Sequence, residues 1–268
     1  MRIALAQLVC RAGDPSANER ALLEAAHDAR HAGADLLVAP ELQLAGYACD
    51  GDEAGRSVDD VAALLDGSGL AVVAGFAELG AGATYNSAAW IEDGGVLHVH
   101  RKLYLCDYPP FDEHVRFAAG EAMRSFDTAF GRAAILICND AWQPFLPALA
   151  AHGGAELLLV PAASSTAVPE AEPYWRDLTR VYARLLQCYV AFVNQAGRDG
   201  GLTFWGGSHV VDPSGEIVST AGAEAGLLVA DVDLERVSTL RRRLPLLRDL
   251  RPGLLASELE RFARTTRP

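Results

Sequence analysis

Two nine-residue stretches of this chain, GADLLVAPE at residues 33–41 and GAELLLVPA at residues 154–162, are near copies, one in each half of the molecule. Each opens on glycine and runs through branched apolar residues to a proline, the pattern of a short buried strand. Each also follows a strand and a helix. IALAQLV and the periodic stretch at 18–31 precede the first copy, while AAILIC at 133–138 and a helix beginning near Pro144 precede the second. A repeated strand–helix–strand unit predicts two pseudo-equivalent halves of one sandwich rather than two independent domains. No linker-like segment divides the halves, so residues 1–268 read as a single domain, with 234–268 a polar helical tail placed to pack on a neighbouring subunit.

Between the copies, AVVAGFAEL, ATYNSAAWIE and GGVLHVHR are consecutive strands joined by glycine-rich turns. Such short connections favour antiparallel neighbours, so the sheets should be mixed. After the second copy come a helix at 172–187, the buried strand YVAFVNQ, a hairpin turning at 212–215 and a last strand, GLLVADVD. The whole reads as an α/β fold.

A net charge of −12 argues against nucleic-acid binding, which draws its affinity from Lys and Arg. Arg241, Arg242 and Arg243 form the one basic run, read as a solvated turn or interface edge. Five cysteines without CxxC or metal-like spacing oppose a disulfide framework or a zinc site and point to a reducing compartment. The polar residues soon after the first strand do not suit a signal peptide, and no apolar stretch reaches the ~18 residues of a membrane span. The expected location is the cytoplasm.

Lysine is nearly absent: of 23 basic residues only Lys102 is lysine. An ammonium and a guanidinium are not interchangeable, because the ammonium is a compact charge on a flexible stem. A lone lysine in an arginine-rich chain is therefore a candidate functional residue. Cys138 ends the apolar run AAILI and is followed by Asn139, Asp140, Ala141 and Trp142, a strand-to-turn junction that can present a thiol to a cleft. Glu41 stands at the mouth of the strand at 35–39, where an unpaired buried carboxylate would be costly. Glu113 lies in the loop Pro109-Pro110-Phe111-Asp112-Glu113, shortly after Lys102. Carboxyl ends of strands are where open α/β sheets bind ligands, so Glu41 and Cys138 could share one pocket. The histidines, His98, His100 and His114 among them, form no triad pattern.

Taken in order, Pro40-Glu41, Arg101-Lys102-Leu103-Tyr104-Leu105, Phe111-Asp112-Glu113 with Arg116 and Phe117, and Ile137-Cys138-Asn139-Asp140 resemble the successive motifs of the nitrilase, or carbon-nitrogen hydrolase, superfamily. The likeness extends to IALAQL, Val193-Asn194, Trp205-Gly206-Gly207-Ser208 and Asp212-Pro213-Ser214-Gly215, nearly the whole chain. It implies an αββα sandwich that pairs into a homodimer, and a Glu41–Lys102–Cys138 triad for acyl transfer through a thioester. In that scheme Glu41 is the general base, Lys102 and the backbone N–H of Asn139 stabilise the oxyanion, and Glu113 holds the lysine and orients substrate. Neither a metal nor an organic cofactor is required, in keeping with the lack of ligand spacing or a phosphate loop.

Pocket-forming candidates are Tyr47, Tyr108, Asn139 and Trp142, with Trp175 and Trp205 as further aromatics that could equally be core. Asn139-Asp140 resembles the variant of D-carbamoylases, whereas 102–117 is more similar to the glutaminase domain of glutamine-dependent NAD synthetase. The expected activity is hydrolysis of a small amide or carbamoyl compound. The alternatives are a nitrilase, a glutaminase subunit supplying ammonia to a synthase, and a non-catalytic scaffold on the same fold.

Overall fold

The computed structural model describes residues 1–265. In chain order the first half holds β1 (Arg2–Gln7), α1 (Pro15–His31), β2 (Leu36–Val38), α2 (Val58–Leu65), β3 (Ala71–Leu79), β4 (Thr84–Glu92), β5 (Gly95–Arg101) and the single turn α3 (Glu113–Arg116). The second half holds β6 (Ser125–Thr128), β7 (Gly131–Ile135), α4 (Phe145–His152), β8 (Leu157–Ala162), α5 (Ala171–Leu186), β9 (Tyr189–Asn194), β10 (Ala196–Asp199) and β11 (Leu202–Trp205). It continues with β12 (His209–Val211), β13 (Ile217–Thr220), β14 (Gly226–Asp231), α6 (Leu234–Arg243) and α7 (Pro252–Thr265).

Two six-stranded mixed sheets form, in the orders β14-β1-β2-β3-β4-β5 and β13-β12-β9-β8-β7-β6, with β10–β11 a separate hairpin. The repeated segments supply the equivalent strands. β2 runs parallel between β1 and β3, and β8 runs parallel between β7 and β9. Each is entered through a glycine with positive φ, Gly33 at 73° and Gly154 at 94°, where the chain leaves a helix and reverses.

Alternation along the strands sorts the core into layers. Ile3, Leu5, Leu36, Val38 and Val73 point to the interface between the sheets, whereas Ala4, Ala6, Leu37, Val72 and Phe76 point outward to α1 and α2. Both faces of these parallel strands are covered, which is why their sequence is continuously apolar rather than alternating. On the far side, Trp175, Tyr182, Ala183 and Leu186 of α5 pack against the second sheet. The result is the expected αββα sandwich. Each fully buried aliphatic side chain contributes about 1.5–3 kcal/mol against the chain entropy lost on ordering.

Local signals explain the helix starts. Asp14 accepts from the Ala17 N–H ahead of Pro15 in α1, and Ser57 with Asp60 forms a reciprocal capping box on α2. Four elements escape a reading by hydrophobic pattern: α2, only eight residues long, the polar β6 (SFDT), and the four-residue strands β10 and β11. Strands this short hold through their pairing partners, not through their own composition. Within the segment read as a helical tail, α6 and α7 form, and positions 266–268 lie outside the described residues.

Arg241 departs from the expectation of a solvated basic turn. Its guanidinium donates to the carbonyl oxygens of Gln187 (3.1 Å), Ala155 (2.6 Å) and Leu186 (3.4 Å), two of which are orphan acceptors at the C-terminus of α5. Arg241→Ala is expected to lower unfolding free energy by about 1–3 kcal/mol, as for hydrogen bonds to a charged group. Its exposed neighbour gives the comparison: in denaturant titrations Arg242→Ala should stay within about 0.5 kcal/mol of the parent.

Candidate active site

The two sheets bring four separate segments together at the ends of β2, β5 and β7. Glu41 follows β2 in a turn whose backbone is pinned on both sides: Ala39 N–H donates to Val73 O (2.8 Å) and Leu44 N–H to Gly75 O (3.0 Å). The side-chain amide of Gln195 donates to the Glu41 carbonyl at 2.9 Å. Gly75 is required here, because a Cβ at that position would sit 2.3 Å from Pro40 O and 2.7 Å from Leu42 N.

Lys102 stands one residue past β5 and is fully buried. Its Nζ lies 2.7 Å from Glu41 Oε1 and 2.7 Å from Glu113 Oε1. Each carboxylate is in turn held by other donors. Glu41 accepts from Asn86 Nδ2 (2.8 Å) and the Ala163 N–H (2.9 Å), and Glu113 accepts from the Tyr47 hydroxyl (2.6 Å) and the Cys106 N–H (3.1 Å). Ala163 directly follows β8, so the ends of both repeated strands converge on one carboxylate.

Burial and pairing compete for the protons of this group. Burial opposes the Lys102 charge, but the Glu113 and Glu41 carboxylates outweigh it and raise its pKa well above the ordinary value. Burial, reinforced by the neighbouring Glu113, raises the Glu41 carboxyl even though Lys102 and Asn86 favour its anion. The Cys138 thiol is pushed well up, first by burial and then by Glu41, with Lys102 and the Ala163 backbone N–H acting the other way. At rest the cysteine is therefore a thiol beside a carboxylate, not a free thiolate.

β7 ends at Ile135, three residues short of Cys138, which opens a tight turn over Cys138–Trp142. Its φ of 45° is left-handed, a conformation that strains a residue with a Cβ and persists only where the surroundings hold it. Asp140 supplies that restraint. Its Oδ1 accepts from the N–H groups of Leu103 and Tyr104 (both 2.9 Å), and its Oδ2 accepts from the Ile137 N–H (3.1 Å) and pairs with His100 Nε2 (2.8 Å). One fully buried carboxylate thus ties the residues just after Lys102 to the residue just before Cys138. Asn139 adds two further ties, its Nδ2 donating to Tyr104 O (3.1 Å) and Leu105 O (3.2 Å).

Above Cys138 opens a narrow cleft walled by Tyr47, Tyr108, Phe111, Trp142 and Trp175. Cys106, Ser164, Ser165 and Val168 complete its sides. Cys138 reaches it with 9% of its surface, whereas Lys102, Glu41 and Glu113 lie beneath at 0–1%. Of the aromatics expected at the pocket, Tyr47, Tyr108 and Trp142 line it, as does Trp175. Trp205 stands behind, its indole N–H donating to Ser164 Oγ at 3.1 Å. Asn139 lines the cleft while its amide faces the 104–105 carbonyls.

Sequence reasoning does not single out Asp140 or His100 for this role. A signal exists for His100: it lies two residues from Lys102, and residues two apart in a strand share a face. Nothing local marks Asp140 for this role, because three of its four partners, His100, Leu103 and Tyr104, lie far away in sequence.

Fold and cleft together define a hydrolase that attacks carbon–nitrogen bonds through a cysteine. The chain belongs to the carbon-nitrogen hydrolase family, whose model matches residues 2–242. It is 32% identical over 274 residues to an (R)-stereoselective amidase of Pseudomonas sp., covering 97% of this chain and 95% of that one. It is 33% identical over 258 residues to the glutamine-dependent NAD(+) synthetase of Thermotoga maritima, and there it spans 91% of itself but only 45% of the relative. The amidase of Nesterenkonia sp. superposes with a TM-score of 0.82 at 30% identity, over 96% of this chain and 95% of that one. One structure of an E41Q mutant of that amidase carries the acetamide moiety of fluoroacetamide added covalently at the active-site cysteine.

Two substitutions test the scaffold under the site. Asp140→Asn leaves one acceptor oxygen for four donors, and should lower stability by about 2–3 kcal/mol in thermal denaturation and reduce kcat far more than it raises KM. Gly75→Ala should displace the Glu41 turn and cut kcat/KM at least ~100-fold while the far-ultraviolet circular dichroism stays that of the parent, since a shift of about 1 Å in a reacting group is worth that much.

Proposed function

We propose that Cys138 is the nucleophile, Glu41 the general base and acid, Lys102 the oxyanion stabiliser, and Glu113 the residue that holds Lys102 in place, in the hydrolysis of a small-molecule amide. The observation that carries this reading is the single buried ammonium held at 2.7 Å from each of two carboxylates beneath the one cysteine, Cys138, whose φ is left-handed.

Glu41 takes the thiol proton as Cys138 Sγ bonds to the carbonyl carbon. The oxygen becomes an anion facing Lys102 Nζ and the backbone N–H of Asn139. Collapse breaks the C–N bond, and Glu41 passes its proton to the departing nitrogen, so ammonia or an amine leaves neutral. Water then attacks the thioester carbon as Glu41 accepts its proton. A second collapse frees the carboxylic acid, and the thiol is restored. Lys102 is kept charged throughout by its two carboxylates, which suits a stabiliser of anions rather than a proton carrier.

Pairing through helices into a homodimer, and residence in the reducing cytoplasm, belong to the same proposal. Support for the first comes from Phe145 and Leu149 of α4 and Tyr174, Val181 and Leu185 of α5, all more than half exposed on the outer helical layer. Support for the second comes from the five cysteines, all free. No described helix is long and apolar enough to cross a membrane. Likeness to the synthetase favours a second reading, in which the amide is glutamine and the ammonia is passed to a separate synthase.

The test is ammonia release across primary amides with intact-protein mass. Cys138→Ala should abolish release and any acyl adduct, and release that survives the substitution would overturn the assignment. Lys102→Arg is expected to lose roughly 100- to 1000-fold in kcat, as for loss of one oxyanion donor, because a planar fork cannot occupy the place of a compact ammonium. In the wild type, kcat/KM should rise with pH through an apparent pKa above the usual glutamate range. The base must be ionised to act, and burial raises Glu41.

A further inference from the structure

Everything that faces the cleft is uncharged. Its floor is the Cys138 thiol, and its walls are aromatic, aliphatic or neutral polar. The neutral polar groups are largely committed. Asn139 spends its amide on two carbonyl oxygens, Ser165 Oγ accepts from the Ala167 N–H (3.0 Å), and Ser164 Oγ accepts from the indoles of both Trp175 (3.0 Å) and Trp205 (3.1 Å). The nearby cations are spent as well. Lys102 is compensated by two carboxylates, so the buried group carries one ammonium against two acids. Arg116, in the helical turn after Phe111, points behind the Tyr47 wall, where it donates to Tyr47 O (2.6 Å) and Cys49 O (3.3 Å) and pairs with Asp112. Beside the Tyr108 rim stands an acid, Asp107, bound to His114.

From this we propose, building on the hydrolase reading above, that the cleft selects amides whose acyl group is uncharged and apolar. Amides that carry a carboxylate, such as glutamine, dicarboxylate half-amides and N-carbamoyl amino acids, are turned away. A carboxylate entering the cleft would give up its hydration and meet no cation, while the acid-rich group below repels it. An aliphatic or aromatic acyl chain instead finds Tyr108 on one side, 45% exposed at the rim, and Trp142 stacked on Tyr174 at 5.0 Å on the other. The neutral amide end reaches Cys138, where the chemistry lies. The second reading, glutamine as substrate, is thereby disfavoured.

Alkylation of the thiol reads this selection without any turnover. Iodoacetamide and iodoacetate differ by one charge; in both, Sγ displaces iodide and the thiol proton is lost to base. Rates of modification at Cys138, followed by intact mass with Cys138→Ala as the site control, are divided by those of 2-mercaptoethanol. The neutral reagent should be favoured at least ~10-fold more at Cys138 than at the free thiol. Val168→Arg, which sets a cation on the cleft wall, should shrink that preference. In turnover, butyramide and pentanamide should exceed succinamate and glutamine at least ~100-fold in kcat/KM. Equal or reversed preference in either assay overturns the inference, as does a Cys138 that iodoacetamide cannot reach. Hydrolysis persisting in Cys138→Ala overturns the nucleophile instead, and the alkylation ratio still decides the charge selection.

Discussion

A lysine ammonium buried between two carboxylates organises the centre of this molecule. Taking three charges out of water is costly, and the arrangement holds only because every oxygen of Glu41 and Glu113 has a donor. Those donors come from Asn86 on β4, Tyr47 in the loop after β2, Ala163 past β8 and Cys106 in the loop after β5. Satisfying one buried ion cluster therefore recruits both sheets and the loops between them. A half-satisfied cluster would be worse than an apolar core of the same volume, so the site and the fold specify one another.

Around that cluster the protein sets rigidity where the chemistry needs it. Asp140 locks the backbone beyond Lys102 to the backbone before Cys138, and Gly75 lets β3 approach the Glu41 turn closely enough to hold it. Neither group faces the substrate cleft. Their effect is to keep thiol, carboxylate and ammonium in one geometry although these arise on separate strand ends. The cleft itself is the opposite kind of surface: neutral, aromatic and open at one rim.

Much of this architecture is legible in the order of residues alone. The repeated GADLLVAPE and GAELLLVPA segments carry the two-half arrangement because fully buried parallel strands must be apolar on both faces, a demand each segment meets locally. Lys102 stands out by rarity, and Glu41 and Cys138 by their place at the ends of apolar runs. Less visible are α2, β6 and the β10–β11 hairpin, whose lengths leave little pattern to read. Arg241 escapes a reading by charge pattern because its value lies in the orphan carbonyls of α5, which a basic run does not reveal.

By itself, then, the sequence determined the layering, the mixed sheets and the residues with the right chemistry, since hydrophobic period, turn residues and residue type are local properties. Tertiary structure alone decided which of them meet: that Ala163 donates to Glu41, that Asp140 spans from Leu103 to Ile137, that Trp205 stands behind the cleft wall while Trp142 faces it. Hydrogen bonds and ion pairs act over about 3 Å, so their partners are set by how whole sheets pack, and no spacing along the chain encodes that distance.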